Sequence, residues 1–222
     1  MEEALLIQKA IEEIETKTWG ITQQFLEVHE IAYEDGKPKI ARIDYEKKDV
    51  AAIIYFNVKG ERFYFAIYFH YPDDLSITSI CVEPYNAAYL KVSSEHLSLP
   101  ALKAMTVLKP MREGNKGDLT LRHQLVKKYS YMHIEPNPEA DELEDKLEKL
   151  LNVLEQDREG VTKLINEANA FIQVAIIFHN GNTMLGGPTI GQIFVKRMAA
   201  LNLEINFDLY AEGNAFKDYK LE

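Results

Sequence analysis

Cysteine and tryptophan are nearly missing from this chain: Cys81 and Trp19 are its single examples. One thiol excludes an internal disulfide framework and fits a reducing, cytoplasmic setting. Basic residues are also short, 25 Lys and Arg against 35 Asp and Glu, for a net charge of −10. Nucleic-acid binding needs a phosphate-neutralising basic face, so no nucleic-acid partner is expected, whereas a protein partner of opposite charge is allowed. No apolar run approaches the roughly 20 residues needed to cross a bilayer, so no membrane partner is expected. The opening residues are acidic and helical in period, without the basic start of a secretory signal.

Reaction motifs are missing too. The sequence has no Gly-rich dinucleotide fingerprint, no phosphate loop ending in Gly-Lys-Ser/Thr and no nucleophile elbow. Its six histidines are scattered, without the spacing of a metal site. Carboxylates are plentiful on helical stretches, but a general acid–base pair is not distinguishable there from a solvated face. No cofactor, metal or catalytic residue is therefore expected, and an enzyme is the less favoured reading.

What is present is alternating secondary structure, enough for two units at 222 residues. Ala4, Leu5, Ile7, Ala10, Ile11 and Ile14 fall at helical spacing over 2–17. The period then switches to two, with strands expected at 22–33, 39–45, 50–58, 62–71 and 77–83 and turns at 34–38, 58–61 and 71–74. This gives a first unit, 1–84, of one helix on an antiparallel meander. A second unit, 85–222, reads as strand 86–93, a helix capped by Ser98, and strand 124–134. Asn137-Pro138 then opens a long leucine-rich helix, and Gly160 divides it from another. The apolar run 171–178 reads as a buried strand. Thr189 with Gln192 has capping-box spacing for a further helix, and the last strand, 203–210, turns Leu203, Ile205, Phe207 and Leu209 inward. The order β-α-β-α-α-β-α-β suggests a ferredoxin-like sandwich of two crossovers, and the whole chain an α+β fold.

Tyr89-Leu90-Lys91-Val92, the stretch 97–102, Leu108-Lys109-Pro110 and Gly114-Asn115-Lys116-Gly117-Asp118 resemble the opening of a bacterial family known as domain of unknown function 4279. The leucine-rich helix 143–154, the strand ending near Phe178, Gly186-Gly187-Pro188 and the strand 205–209 extend the resemblance over about 85–212. The resemblance brings no catalytic residues. Some relatives adjoin toxin and immunity genes, which implies an immunity-type role.

Three groups are candidate contacts. Lys109, Arg112, Lys116 and Asp118 form a local polar and basic group, followed by Arg122 and His123. His179, Asn180 and Thr189 lie between a buried strand and a helix start, where free N–H groups favour anions. With the first group they suggest a ligand-binding cleft. Tyr64, Tyr68 and His70 share a strand face, joined by Tyr55, and tyrosines on such a face suit protein contact. The leading expectation is a non-enzymatic protein-binding module of the immunity type. A small-molecule sensor using the cleft, or an enzyme with an unfamiliar carboxylate or histidine site, are the alternatives.

Overall fold

The structure, a computed structural model, describes residues 2–47, 50–70, 75–120, 125–181 and 187–217. The expected turn at 71–74, Arg122, His123 and residues 182–186 lie outside the described residues. Helices and antiparallel sheets are mixed, and the fold is α+β. Among the described residues no helix is long and apolar enough to cross a membrane.

The chain forms two compact units, and both are discontinuous in sequence rather than divided by one cut near 84. The first comprises Met1–Tyr85, Ile177–Gly186 and Leu209–Glu222; the second comprises Asn86–Ile176 and Gly187–Asp208.

In the first unit, helix α1 (Glu2–Thr16) ends where Lys17 takes a positive φ of 54°. A second helix, α2 (Gly20–Leu26), stands where a strand was expected. Its start is fixed from a distance: the buried Glu13 carboxylate accepts the N–H groups of Thr18 (3.2 Å) and Trp19 (3.1 Å) and the Thr18 hydroxyl. Once those donors are satisfied, Ile21 and Phe25 fall one helical turn apart, and Phe25 is buried. Two short strands, β1 (Tyr33–Glu34) and β2 (Lys37–Pro38), make a hairpin. Strands β3 (Ile40–Asp44), β4 (Ala52–Asn57), β5 (Tyr64–His70) and β6 (Ser76–Glu83) form an antiparallel sheet in that order. The β4–β5 turn uses Gly60 at φ +81°, a conformation costly for other residues. Ile54, Ile67 and Ile80 stand opposite one another across three strands, and with Phe56, Phe65 and Phe69 they pack against Leu6, Ala10, Ile14 and Phe25 of the helices.

The remaining elements are β7 (Tyr85–Ser94), α3 (Leu99–Lys103), β8 (Arg112–Gly114), β9 (Ser130–Ile134), α4 (Leu143–Leu154), α5 (Arg158–Glu167), β10 (Asn169–His179), α6 (Gln192–Ala200) and β11 (Ile205–Glu212). The sheet order is β11-β10-β7-β9-β8. β7 and β9 pair antiparallel, so the first expected crossover is not formed. The later one is: Ile172 N–H reaches Glu204 and Asn180 N–H reaches Glu212, a constant offset that makes β10 and β11 parallel. The core of the second unit gathers Leu90, Val92, Met132, Ile134, Ile172 and Val174 with Leu147, Leu150, Leu151, Leu154, Val161 and Leu164.

Four local expectations are corrected. The leucine helix starts at Leu143 rather than near Pro138, because Asn137 and Asp141 are tied in a turn: Asn137 Nδ2 donates to Asp141 (2.7 Å), and the buried Lys146 ammonium donates to the Asn137 carbonyl (2.9 Å). Gly160 lies inside α5, and the break falls at Glu155–Asp157. Helix α6 is preceded by Gly191 without a side-chain cap, so Thr189 caps nothing. β11 is an edge strand, and its Phe207 and Leu209 are 37% and 50% exposed instead of inward.

Candidate functional site

Alternation along β7 and β9 divides their side chains between two surfaces. Leu90, Val92, Met132 and Ile134 enter the core, whereas Tyr89, Lys91, Tyr131 and His133 take the opposite face. Register then builds the site. His133 stands directly opposite Lys91 on one side and Arg112 on the other, so a cation–imidazole–cation row crosses three strands. Tyr131, one row along, stands opposite Gly114. A Cβ on Gly114 would fall 2.4 Å from the Lys127 ammonium and 2.5 Å from the Tyr131 ring, so glycine is what lets both cross β8.

The rings on this face form a continuous group. Tyr89 stacks on His133 at 4.6 Å between centroids, Tyr131 lies 5.3 Å from His133, and Tyr129 lies 6.3 Å from Tyr131. Lys127 sits over the Tyr131 ring (5.4 Å) and Lys91 over Phe171 (5.5 Å), both within cation–π range. Lys91, Arg112, Lys127, Tyr129, Tyr131 and His133, together with Lys128, Thr120, Leu125 and Val126, line a cavity of about 540 Å³. Four of its ten lining residues are Lys or Arg, and none is Asp or Glu.

Electrostatics agree with that composition. Burial, reinforced by Lys91 and Arg112, pushes the His133 pKa down to about 4, so the ring is neutral at pH 7. At the rim, Lys127 is 3.7 Å from Asp118. Nearby Glu135 is buried, and burial raises its pKa although Arg112 and Lys146 oppose the rise. The arrangement can accept negative charge at Lys91 and Arg112 and a flat ring against the tyrosines. As a general base His133 is weak near neutrality, because its pKa lies far below the working pH.

The expected site residues are distributed differently. Arg112 lines the cavity, but Lys116 donates to the Glu95 carbonyl (2.8 Å), and Asp118 accepts the Asn115 N–H (2.9 Å) beside Gly117 at φ +92°. Those two residues shape the loop. Lys109 and Thr189 are exposed, each in the second unit. His179 and Asn180 belong to the first unit, where the Asn180 N–H is bonded to the Glu212 carbonyl. Tyr55 and Tyr64 are 2% and 8% exposed, and burial, with Tyr85 adding, raises the Tyr64 phenol to about 12. Tyr68 donates to Glu83 (2.6 Å), and His70 is exposed at the end of β5. The buried tyrosines therefore offer little surface for contact. Lys91, Tyr89, Tyr131, His133 and Lys127 are not among the candidates that the sequence offers. Their signal was aromatic and basic residues alternating with apolar ones in two strands, and it becomes a site only when those strands pair.

Among the described residues no group of three or more His, Cys, Asp or Glu is placed to hold a metal. The family model described as Domain of unknown function (DUF4279) matches residues 83–212, more than half of the chain. No curated protein and no solved structure matches it.

Proposed function

The chain belongs to the DUF4279 family, and from that premise we propose that it is a non-enzymatic binding module whose ligand is a small anion bearing a planar ring. The observation that carries this reading is the cavity of about 540 Å³ lined by Lys91, Arg112, Lys127 and Lys128 with Tyr129, Tyr131 and His133. That volume is in the usual range for small-molecule sites. Cations without a lining carboxylate favour phosphate or carboxylate, and the ring group favours stacking. The net charge of −10 works against a long polyanion, so the ligand is small.

A second reading keeps protein binding. Leu125, Val126 and Tyr129 at the cavity are exposed, as is Leu119 nearby, and apolar groups beside cations also suit an acidic protein segment. An immunity-type role in a bacterial cytoplasm belongs to this version.

Calorimetric titration of the full chain with mononucleotides, aromatic carboxylates and inorganic phosphate tests the first reading. Saturable binding of a ring-bearing anion is expected, weaker by about tenfold or more in Arg112→Ala, since a charge-assisted hydrogen bond contributes about 1.5–3 kcal/mol. Absence of binding at low salt, or affinity unchanged in Arg112→Ala and Lys91→Met, would sink it. An acidic peptide binding where every small anion fails would favour the second reading.

A further inference from the structure

The first unit brings together three electron-pair donors that the cavity of the second unit does not involve. His29 Nε2 lies 3.0 Å from His179 Nε2, and the Asn214 carbonyl oxygen lies 3.2 Å from the first and 2.8 Å from the second. Both imidazoles are more than nine-tenths buried, at 7% and 9% exposure. The rings of Phe25, Phe63 and Phe216 surround them at centroid distances of 4.8–5.7 Å.

Hydrogen bonding serves this triangle only through sharing, with one N–H divided between the other nitrogen and the carbonyl, or the carbonyl accepting both N–H groups. With one Nε2 protonated, the other presents its lone pair to a carbonyl oxygen, acceptor against acceptor. With both protonated, two N–H groups converge on one another. A single cation between the three atoms satisfies all of them. A triangle with sides of 2.8, 3.0 and 3.2 Å has a circumradius below about 1.8 Å. An ion about 1 Å off its plane can therefore stand about 2.0–2.1 Å from every corner, the ordinary zinc–nitrogen distance.

The backbone is arranged to make this convergence. Gly213 has φ +84°, and a Cβ there would fall 2.7 Å from Phe63 and 2.8 Å from the His29 ring. The Asn214 side chain donates to the Val28 carbonyl (2.9 Å), fastening the tail beside His29. His29 also borders a cavity of about 530 Å³ lined by Ile14, Lys17, Leu26, Glu30, Tyr33 and Lys59.

We propose that His29 Nε2, His179 Nε2 and the Asn214 carbonyl oxygen form a binding site for one divalent ion of the zinc class, with water completing the coordination. Two imidazoles and one oxygen suit zinc, nickel or copper rather than magnesium or calcium. The site differs from a side-chain cluster in taking its third ligand from the backbone.

The test uses full-length protein freed of metal with a chelator. Zinc is titrated in by calorimetry, and cobalt is added separately to read the visible absorption of a low-coordinate ion. One equivalent of zinc is expected to bind, at least about tenfold more weakly in His29→Gln and His179→Gln. His70→Gln and His96→Gln should leave the affinity unchanged. Should the two core variants fail to fold, nitrogen-resolved NMR of the wild-type imidazoles supplies the answer: zinc should shift two of the six histidine rings. No saturable binding, binding that survives in folded His29→Gln and His179→Gln, or shifts confined to other histidines would overturn the proposal.

Discussion

His133 shows how one residue reports on its surroundings. Its ring is flanked across the strands by Lys91 and Arg112, stacked on Tyr89 and tilted against Tyr131, with Lys127 over the latter. A histidine held near a pKa of about 4 instead of 6.5 binds fewer protons when folded than when unfolded between those values. Its contribution to stability is therefore full above pH 6.5 and is lost as pH falls toward 4. An NMR titration of the His133 ring should give a midpoint near 4, and a bound anion should raise it by offsetting Lys91 and Arg112. A midpoint at 6 or above would show that the two cations and the burial do not act on this ring.

At the scale of elements, single carboxylates set where helices begin. Asp157 caps α5 by accepting the Gly160 N–H (3.0 Å), and it also accepts the Thr106 hydroxyl (2.6 Å) and the Val107 N–H (2.9 Å). Burial works against its charge, yet those hydrogen bonds, with Lys163 nearby, hold the carboxyl below its ordinary pKa. Asp157→Ala should cost about 1–3 kcal/mol in urea unfolding, because a cap and two further bonds are lost together. Asp157→Asn should cost less. With its pKa lowered, the stabilisation by Asp157 is present above pH 3.8 and disappears as pH falls through the folded value. Equal stability of wild type and Asp157→Ala at pH 7 would remove the cap from the account of α5. Glu13 does comparable work at α2, and it explains why residues 20–26 are helical although 22–33 read as a strand: a buried carboxylate reaching forward leaves no periodic trace.

The molecule as a whole is two units, each assembled from separate stretches of chain. The first unit needs His179 and Phe216, whose rings lie 4.8 Å apart, with His179 5.0 Å from Phe63 and 5.7 Å from Phe25. A fragment of residues 1–85 lacks both and should bind a hydrophobic dye and unfold at lower temperature than the same unit in the full chain. Sharp unfolding of that fragment at the full-chain temperature, without dye binding, would show that the later segments are dispensable. The matched family region, 83–212, contains His179 but neither His29 nor Asn214, so the inferred metal site joins it to residues on both sides.

Sequence alone determined what depends on neighbours along the chain. The alternation of Phe65, Ile67 and Phe69, the Ser98 cap whose Oγ accepts the Ala101 N–H, and the leucines of α4 follow from periods of 2 and 3.6 and from local donors. Arg112 could be named as a candidate because it is a cation in a polar, glycine-containing loop. Tertiary structure decided the rest. Strand register placed Lys91 and Arg112 on either side of His133, and a fold-back of the tail set Asn214 against two histidines far apart in sequence. The physical reason is the same in both cases. Burial and side-chain period are written locally, whereas cross-strand register and the meeting of distant segments arise from packing the whole chain.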